Sequence, residues 1–205
     1  VLPDSQFARK CVEDAFSAAK RARKRRADLD QEFPRPLAAV VRVERENPEH
    51  LCGRHVEEAR DVLHPVVIHV AGLFLDEPKR EELVFSDKFV TFLGDELVPW
   101  AIKSQELKVT ADTTLIGGAS LGGLTAAYAA QQKPQTFGNV LSQSGAFWRK
   151  RPDTPQTESS HGALPGEIAS RDKQPIRYYL EVGRFEAISM IENNRWLRDV
   201  LRQKG

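Results

Sequence analysis

From Val66 onward the chain alternates short, β-branched apolar runs with stretches whose apolar residues recur at helical spacing, the pattern of βαβ units on a mainly parallel sheet. Val66-Val67-Ile68-His69-Val70-Ala71 is closed by Gly72 and predicts a strand buried on both faces. Ser86 stands where an N-cap is needed. Phe89, Phe92, Leu93, Leu97 and Trp100 then fall at i, i+3, i+4, i+8 and i+11, one face of a helix that packs on the sheet. Thr113-Thr114-Leu115-Ile116 predicts a second strand, Asn139-Val140-Leu141 a third, and Ile176-Arg177-Tyr178-Tyr179-Leu180-Glu181-Val182 a fourth. Between the second and third, Leu124-Thr125-Ala126-Ala127-Tyr128-Ala129-Ala130 predicts an alanine-rich helix stopped at Lys133-Pro134. A last helix is predicted from a capping box, Ser189-Met190-Ile191-Glu192, through Leu197, Val200 and Leu201.

Residues 1 to about 60 lack this pattern. They hold a basic block, Lys20-Arg21-Ala22-Arg23-Lys24-Arg25-Arg26, in a polar helical stretch, then arginine-rich sequence with no convincing strand run. The chain therefore divides into a poorly patterned segment, 1–60, with few buried apolar contacts, and a partial α/β domain, 61–205. The basic block reads as a solvated helix face, because no aromatic interleaving or nucleic-acid motif accompanies it.

Composition narrows the classes. A chain of 205 residues, 40% hydrophobic and 29% charged, has the make-up of one ordinary globular domain. Its formal charge of +1 supplies no general pull toward nucleic acid or an anionic membrane. The longest apolar run, Pro65 to Leu75 with His69 inside it, falls far short of the roughly 20 residues that span a bilayer. Cys11 and Cys52 stand alone, which predicts no disulfide framework and a cytoplasmic, reducing setting. The opening Val1-Leu2-Pro3-Asp4 has neither an initiator Met nor a signal-peptide layout, so a fragment is expected.

The chemistry lies between the second strand and its helix. Gly118-Ala119-Ser120-Leu121-Gly122 is a G-x-S-x-G run in the strand, sharp turn, helix setting that pushes a serine out as a nucleophile. Such a turn leaves no room for bulk two residues to either side, which Gly118, Gly122 and the additional Gly123 allow. It also aims the Leu121 N–H and the positive end of the helix at an oxyanion formed by attack of Ser120 on a carbonyl. A phosphate-binding loop would need Lys where Gly123 stands, and no G-x-G-x-x-G spacing occurs here.

Ile116-Gly117-Gly118-Ala119-Ser120-Leu121-Gly122-Gly123-Leu124 and Phe137-Gly138-Asn139-Val140-Leu141-Ser142-Gln143-Ser144-Gly145-Ala146-Phe147-Trp148 resemble the family of enterochelin esterases and their relatives. So do Tyr179-Leu180-Glu181-Val182-Gly183 and Asn194-Arg195-Trp196-Leu197-Arg198-Asp199-Val200-Leu201, so that the likeness runs from about Leu63 to Gly205. The resemblance implies an α/β-hydrolase fold, a mainly parallel sheet with flanking helices, incomplete at the C-terminus and with the family's early strands unassigned at the N-terminus. It implies a serine esterase with no cofactor and no resident metal, whose partner is a small-molecule ester; the enterochelin branch cleaves a ferric catecholate siderophore.

Carried onto this sequence, the family's triad makes Ser120 the nucleophile and Glu186, three residues beyond Gly183, the acid that orients the base. Glu181 is the local rival, but it lies within a strand, not on the loop past its end. The family's base sits in a Gly-Gly-His-type loop after the last helix; in this sequence His50, His55, His64, His69 and His161 all precede Glu186. His161 reads as a solvated loop residue of the stretch 158–166, His64 and His69 as structural, and His55 with Cys52 as too few ligands for zinc. The family's second oxyanion donor has no assignable residue here. Phe147 and Trp148 are candidates to wall an aromatic acyl pocket, equally weighed against ordinary core, and Arg80 reads as a structural partner of Glu82. An acyltransferase on the same fold, or a family member that binds without turnover, are the competing readings.

Overall fold

The computed structural model describes residues 39–43, 66–70, 83–154 and 161–205, with the backbone alone for 39–43 and for Val66, Val67, His69 and Gln105. Five strands form one sheet in the order β1 (Ala39–Val43), β2 (Val66–Val70), β3 (Thr114–Ala119), β4 (Asn139–Gln143) and β5 (Arg177–Glu181). β2 to β5 are parallel neighbours and β1 runs antiparallel to β2. The mainly parallel α/β sheet expected from the sequence is therefore present, with β3 reaching three residues and β4 two residues beyond the apolar runs. β1 corrects the expectation that residues 1 to 60 lack a strand: it joins the same sheet across the boundary placed at residue 60. Cys11, Cys52, the basic block at 20–26, His50, His55, His64, Arg80 and Glu82 lie outside the described residues, as does the side chain of His69.

The helices take their positions from what they cover. α1 (Asp87–Thr91) begins at Ser86, whose Oγ accepts from the Phe89 N–H at 3.2 Å, the cap expected of it. The helix does not continue as a plain α-helix. Phe92–Leu97 winds as a π-helix before α2 (Val98–Gln105) resumes. Pro99 lacks the N–H that would bond the Asp95 carbonyl and would crowd it, and the wider turn just before it accommodates that loss. Leu93 and Leu97 are still buried, with Phe89, Phe92 and Trp100 packed at the margin of the same core.

α3 (Leu121–Gln132) packs on β3 and β4. Ten of its twelve residues are buried, which is why its sequence is apolar all round and not striped. It ends at Lys133, before Pro134, as expected. Its polar groups are satisfied inside the fold: the Thr125 hydroxyl has the Leu83 carbonyl at 2.7 Å and the Leu121 carbonyl at 2.8 Å, and Gln131 Nε2 donates to the Tyr178 hydroxyl of β5 at 2.8 Å. Tyr128 donates to Asp87 at 2.6 Å; the Arg151 guanidinium lies over the rings of Tyr128 and Phe85 and is forked onto Glu167 at 2.6 and 2.9 Å.

α4 (Ala163–Ser170) and α5 (Ile188–Lys204) pack together beyond β5. Two expectations change here. The loop assigned to 158–166 gives way to α4 at Ala163, and the predicted capping box at Ser189 does not form, because the helix already begins at Ile188 with Ala187 as its cap residue. Ile68, Val70, Ile116, Val140, Leu124, Leu164 and Leu197 meet in one core between sheet and helices.

Thr125 ties the segment entering α1 to the first turn of α3. Thr125→Val keeps the shape and removes the donor, leaving the buried Leu83 carbonyl unpartnered, which costs about 1–3 kcal/mol. Chemical denaturation is expected to show the midpoint fall by that amount with an unchanged m-value.

Candidate active site

Ser120 occupies the single residue between β3 and α3, with φ 55° and ψ −118°. An L-residue there costs roughly 1–3 kcal/mol and persists only where its surroundings over-determine it. Both backbone groups are held: the Ser120 N–H donates to the Gln143 carbonyl at 2.9 Å, and the Ser120 carbonyl accepts from Leu124 N–H at 3.2 Å and Ala146 N–H at 2.9 Å. The glycines are required by contact. A Cβ on Gly118 would stand 2.6 Å from the Val70 carbonyl oxygen and 2.7 Å from the Gly122 carbonyl carbon, all backbone. A Cβ on Gly123 would reach 2.5 Å from Ser142 Oγ and 3.1 Å from Gly145 Cα. The turn is thus pressed between β2, β4 and the first turn of α3. Leu121 opens α3, so its N–H lies at the positive end of the helix, where no carbonyl four residues back within the helix takes it.

The ends of β4 and β5 carry the rest. Ser144, just past β4, is also at positive φ, 45°. Its N–H donates to the Glu181 carbonyl at 2.7 Å, its Oγ donates to Glu186 Oε1 at 2.9 Å, and it accepts from the Gly183 N–H at 3.3 Å. Glu186 therefore reaches from the loop after β5 to the turn after β4, the same turn whose Ala146 N–H holds Ser120. Glu181 is occupied otherwise: it takes the Gln143 side-chain amide at 3.3 Å and lies on the strand. Ser144 is the residue that reading the sequence missed as a contributor to this cluster. Its signal was present in the Gln143-Ser144-Gly145 run, but nothing local connects it to a carboxylate 42 residues away.

The remaining candidates separate. Phe147 is fully buried in the core, whereas Trp148 is 41% exposed, with the Arg149 guanidinium 5.4 Å from its ring centroid; of the two only Trp148 offers a surface to a ligand. His161 is exposed and stacks edge-on against Trp196 at 4.6 Å between centroids. Among the described residues no cluster of three or more His, Cys, Asp or Glu could hold a metal ion, and no helix is long and apolar enough to cross a membrane.

A parallel α/β sheet that presents a serine on a strained strand-to-helix turn defines an α/β-hydrolase-type esterase fold. Residues 65–203 match the family described as "Putative esterase", and the chain belongs to that family. The iron(III) enterobactin esterase of Dickeya dadantii is 32% identical over 171 residues, 77% of this chain and 38% of that protein. The iron(III) enterobactin esterase of Escherichia coli K12 is 35% identical over 89 residues, 43% of this chain and 22% of that protein. Among solved structures, the enterobactin esterase of Shigella flexneri crystallised with 2,3-di-hydroxy-N-benzoyl-glycine superposes with a TM-score of 0.57 at 26% identity, over 71% of this chain and 38% of that one. The chain thus spans well under half the length of these relatives.

The glycine contacts predict opposite signs for one substitution. Gly118→Ala forces Cβ into three backbone atoms within 2.8 Å and is expected to cost about 3 kcal/mol or more. Gly166→Ala, inside α4 with its nearest neighbour the Trp196 ring at 3.5 Å, is expected to stabilise by about 0.5–1 kcal/mol. Thermal unfolding of both variants checks the pair.

Proposed function

We propose that this chain supplies the nucleophile and the acid of a serine ester hydrolase of the enterochelin-esterase type, acting in the cytoplasm. The observation that carries the reading is Ser120 itself: an L-serine held at positive φ between a strand and a helix start by backbone bonds to Gln143, Leu124 and Ala146. A histidine base takes the Ser120 proton, and the alkoxide attacks the ester carbonyl. The Leu121 N–H and the start of α3 stabilise the oxyanion, the protonated base passes its proton to the departing alcohol, and water, deprotonated by the same base, clears the acyl-enzyme. Glu186, held in place by Ser144, orients the base and stabilises its imidazolium form.

The substrate class follows from the relatives. Residues 65–203, which hold Ser120 and Glu186, match the esterase family, and relatives named iron(III) enterobactin esterase support an ester of a ferric catecholate siderophore as the bond cleaved. Trp148, half-exposed beside the turn after β4, suits an aromatic acyl group, with Phe147 packed in the core next to it. The family pattern places the base after the acid, in a Gly-Gly-His-type loop, whereas every histidine in these 205 residues precedes Glu186 and His161 is stacked on Trp196.

The loss of a triad base costs about a millionfold in turnover, and an oxyanion donor with a binding surface retains roughly 10³–10⁴ over water. The 205-residue chain is therefore expected to hydrolyse p-nitrophenyl esters barely above background. Extension by a C-terminal segment of a family relative carrying the Gly-Gly-His-type loop is expected to raise the rate by several orders of magnitude. In the extended chain Ser120→Ala and Glu186→Ala should each remove most of that gain. Strong hydrolysis by the 205-residue chain would make His161 the base, and full activity in extended Ser120→Ala would eliminate the nucleophile assignment.

A further inference from the structure

We infer that Asn194, on α5, is a positioning residue that fixes the backbone of Ser120 through the Gly145–Ala146 peptide; its catalytic consequence rests on Ser120 being the nucleophile. Asn194 is 3% exposed. One of its Nδ2 protons goes to the Gly145 carbonyl at 2.8 Å and the other to the Met190 carbonyl at 2.9 Å on its own helix. Gly145 C=O and Ala146 N–H are the two ends of one peptide unit, and that N–H is the donor to the Ser120 carbonyl at 2.9 Å. A peptide unit is planar and stiff, so holding its oxygen from one side sets the direction of its N–H on the other. Asn194 thereby reaches, through a single rigid plate, the residue whose positive φ the site depends on.

Three observations argue that the asparagine is more than filler. Its Oδ1 is buried without a hydrogen-bond partner, a cost that a leucine at this helix position would not carry, so what the amide donates must outweigh what it leaves unmade. The plate it holds cannot be replaced by bulk: a Cβ on Gly145 would come within 2.4 Å of Ser142 Oγ and 2.5 Å of the Phe147 ring. And the residue preceding the plate, Ser144, is the one that holds Glu186. The turn 144–146 thus joins the Glu186 carboxylate at one end to the Ser120 backbone at the other, and Asn194 is its buttress from the last helix. The adjacent Asn193 supplies an internal comparison, since its Oδ1 accepts from the Gly162 N–H at 2.9 Å and serves a different loop.

The test reads the plate directly, by hydrogen exchange of individual amides in the 205-residue chain followed by NMR. In Asn194→Leu the Ala146 amide is expected to exchange about tenfold faster relative to the β4 amides, in line with the loss of one of the two described donors to the Gly145 carbonyl, the Phe147 N–H at 2.8 Å remaining. In Asn193→Leu it is the Gly162 amide that should accelerate, with Ala146 unchanged. If Asn194→Leu fails to fold, Asn194→Ser, whose hydroxyl is too short to reach Gly145, is expected to give the same local signature. The second readout is the rate at which a fluorophosphonate labels Ser120 in the C-terminally extended chain, expected to fall about tenfold with either Asn194 variant and to hold in Asn193→Leu. Unchanged Ala146 exchange in a folded Asn194 variant overturns the inference, and so does Ser120 labelling that ignores the Asn194 variants while wild type labels well. If wild type is not labelled at Ser120 but Ala146 exchange still follows Asn194, the esterase reading fails while the mechanical link to Ser120 stands.

Discussion

An L-residue at φ 55° is the constraint around which the described half of the molecule is arranged. Left alone, the backbone at Ser120 would relax to an ordinary extended or helical well, and the hydroxyl would turn into the sheet or along the helix. It is kept out because β3 hands over to α3 in one residue, with no loop to absorb the change of direction. That abruptness demands Gly118 beneath the turn, since its missing Cβ is where the Val70 and Gly122 backbones meet. It demands Gly123 one turn into the helix, pressed on β4 at Ser142. The same closeness buries α3 on nearly every side, and that in turn is why the helix is built from alanine: larger side chains would lift it off the strands and open the turn.

Local rules of the sequence were enough wherever a few adjacent residues decide the structure. β2, β3, β4 and β5, the Ser86 cap and the Lys133 stop were all legible, because β-branched runs, a capping hydroxyl and a following proline act within a handful of positions. The strained turn at Ser120 was legible for the same reason, as the serine and the glycines about it occupy six consecutive residues. β1 was not. Ala39-Val40-Val41-Arg42-Val43 is a short strand at the edge of the described sheet, recognisable only from the ladder it forms with β2. The π-helical turn before Pro99 was hidden because apolar spacing in a window this short fits an α-helix and a helix with one widened turn about equally well. The Ser189 box failed for a different reason: the chain enters α5 a residue earlier, so Ser189 sits inside the first turn and its hydroxyl is no longer at a cap position.

The supports of the site were invisible for a reason of distance. Ser144 and Glu186 are 42 residues apart, and Asn194 and Gly145 are 49 apart; neither pair follows from propensity or periodicity, and only the order of strands in the sheet brings them together. Glu186 itself was picked out by family resemblance, because a single loop carboxylate carries no local mark of a role. What the structure adds is a reason for the polar residues in Gln143-Ser144-Gly145 and for the Asn193-Asn194 pair. They are the donors and acceptors that close loops at the carboxyl ends of the strands, where open α/β sheets gather their sites.

The two halves of the candidate site are held with unequal firmness, and this bears on how the site works. Ser120 is fixed by three backbone hydrogen bonds, packed glycines and a buried helix, so displacing it means disturbing the core. The Glu186 side chain is held by one hydroxyl and its backbone by a 3.3 Å bond from its N–H to the Gly183 carbonyl, on a loop whose neighbours stand in water, Phe185 at 97% and Ile188 at 74% exposure. A hydrogen bond of this kind contributes on the order of 1 kcal/mol, so moving the Glu186 loop costs far less than moving Ser120. On the proposed reading, the geometry of the site is set from the Ser120 side, with Glu186 brought into register by what it touches. Ser144 is well placed for that task because its own backbone is pinned to Glu181 and Ala146, two residues on, is pinned to Ser120, so the Glu186 carboxylate is bonded to a residue already referenced to Ser120.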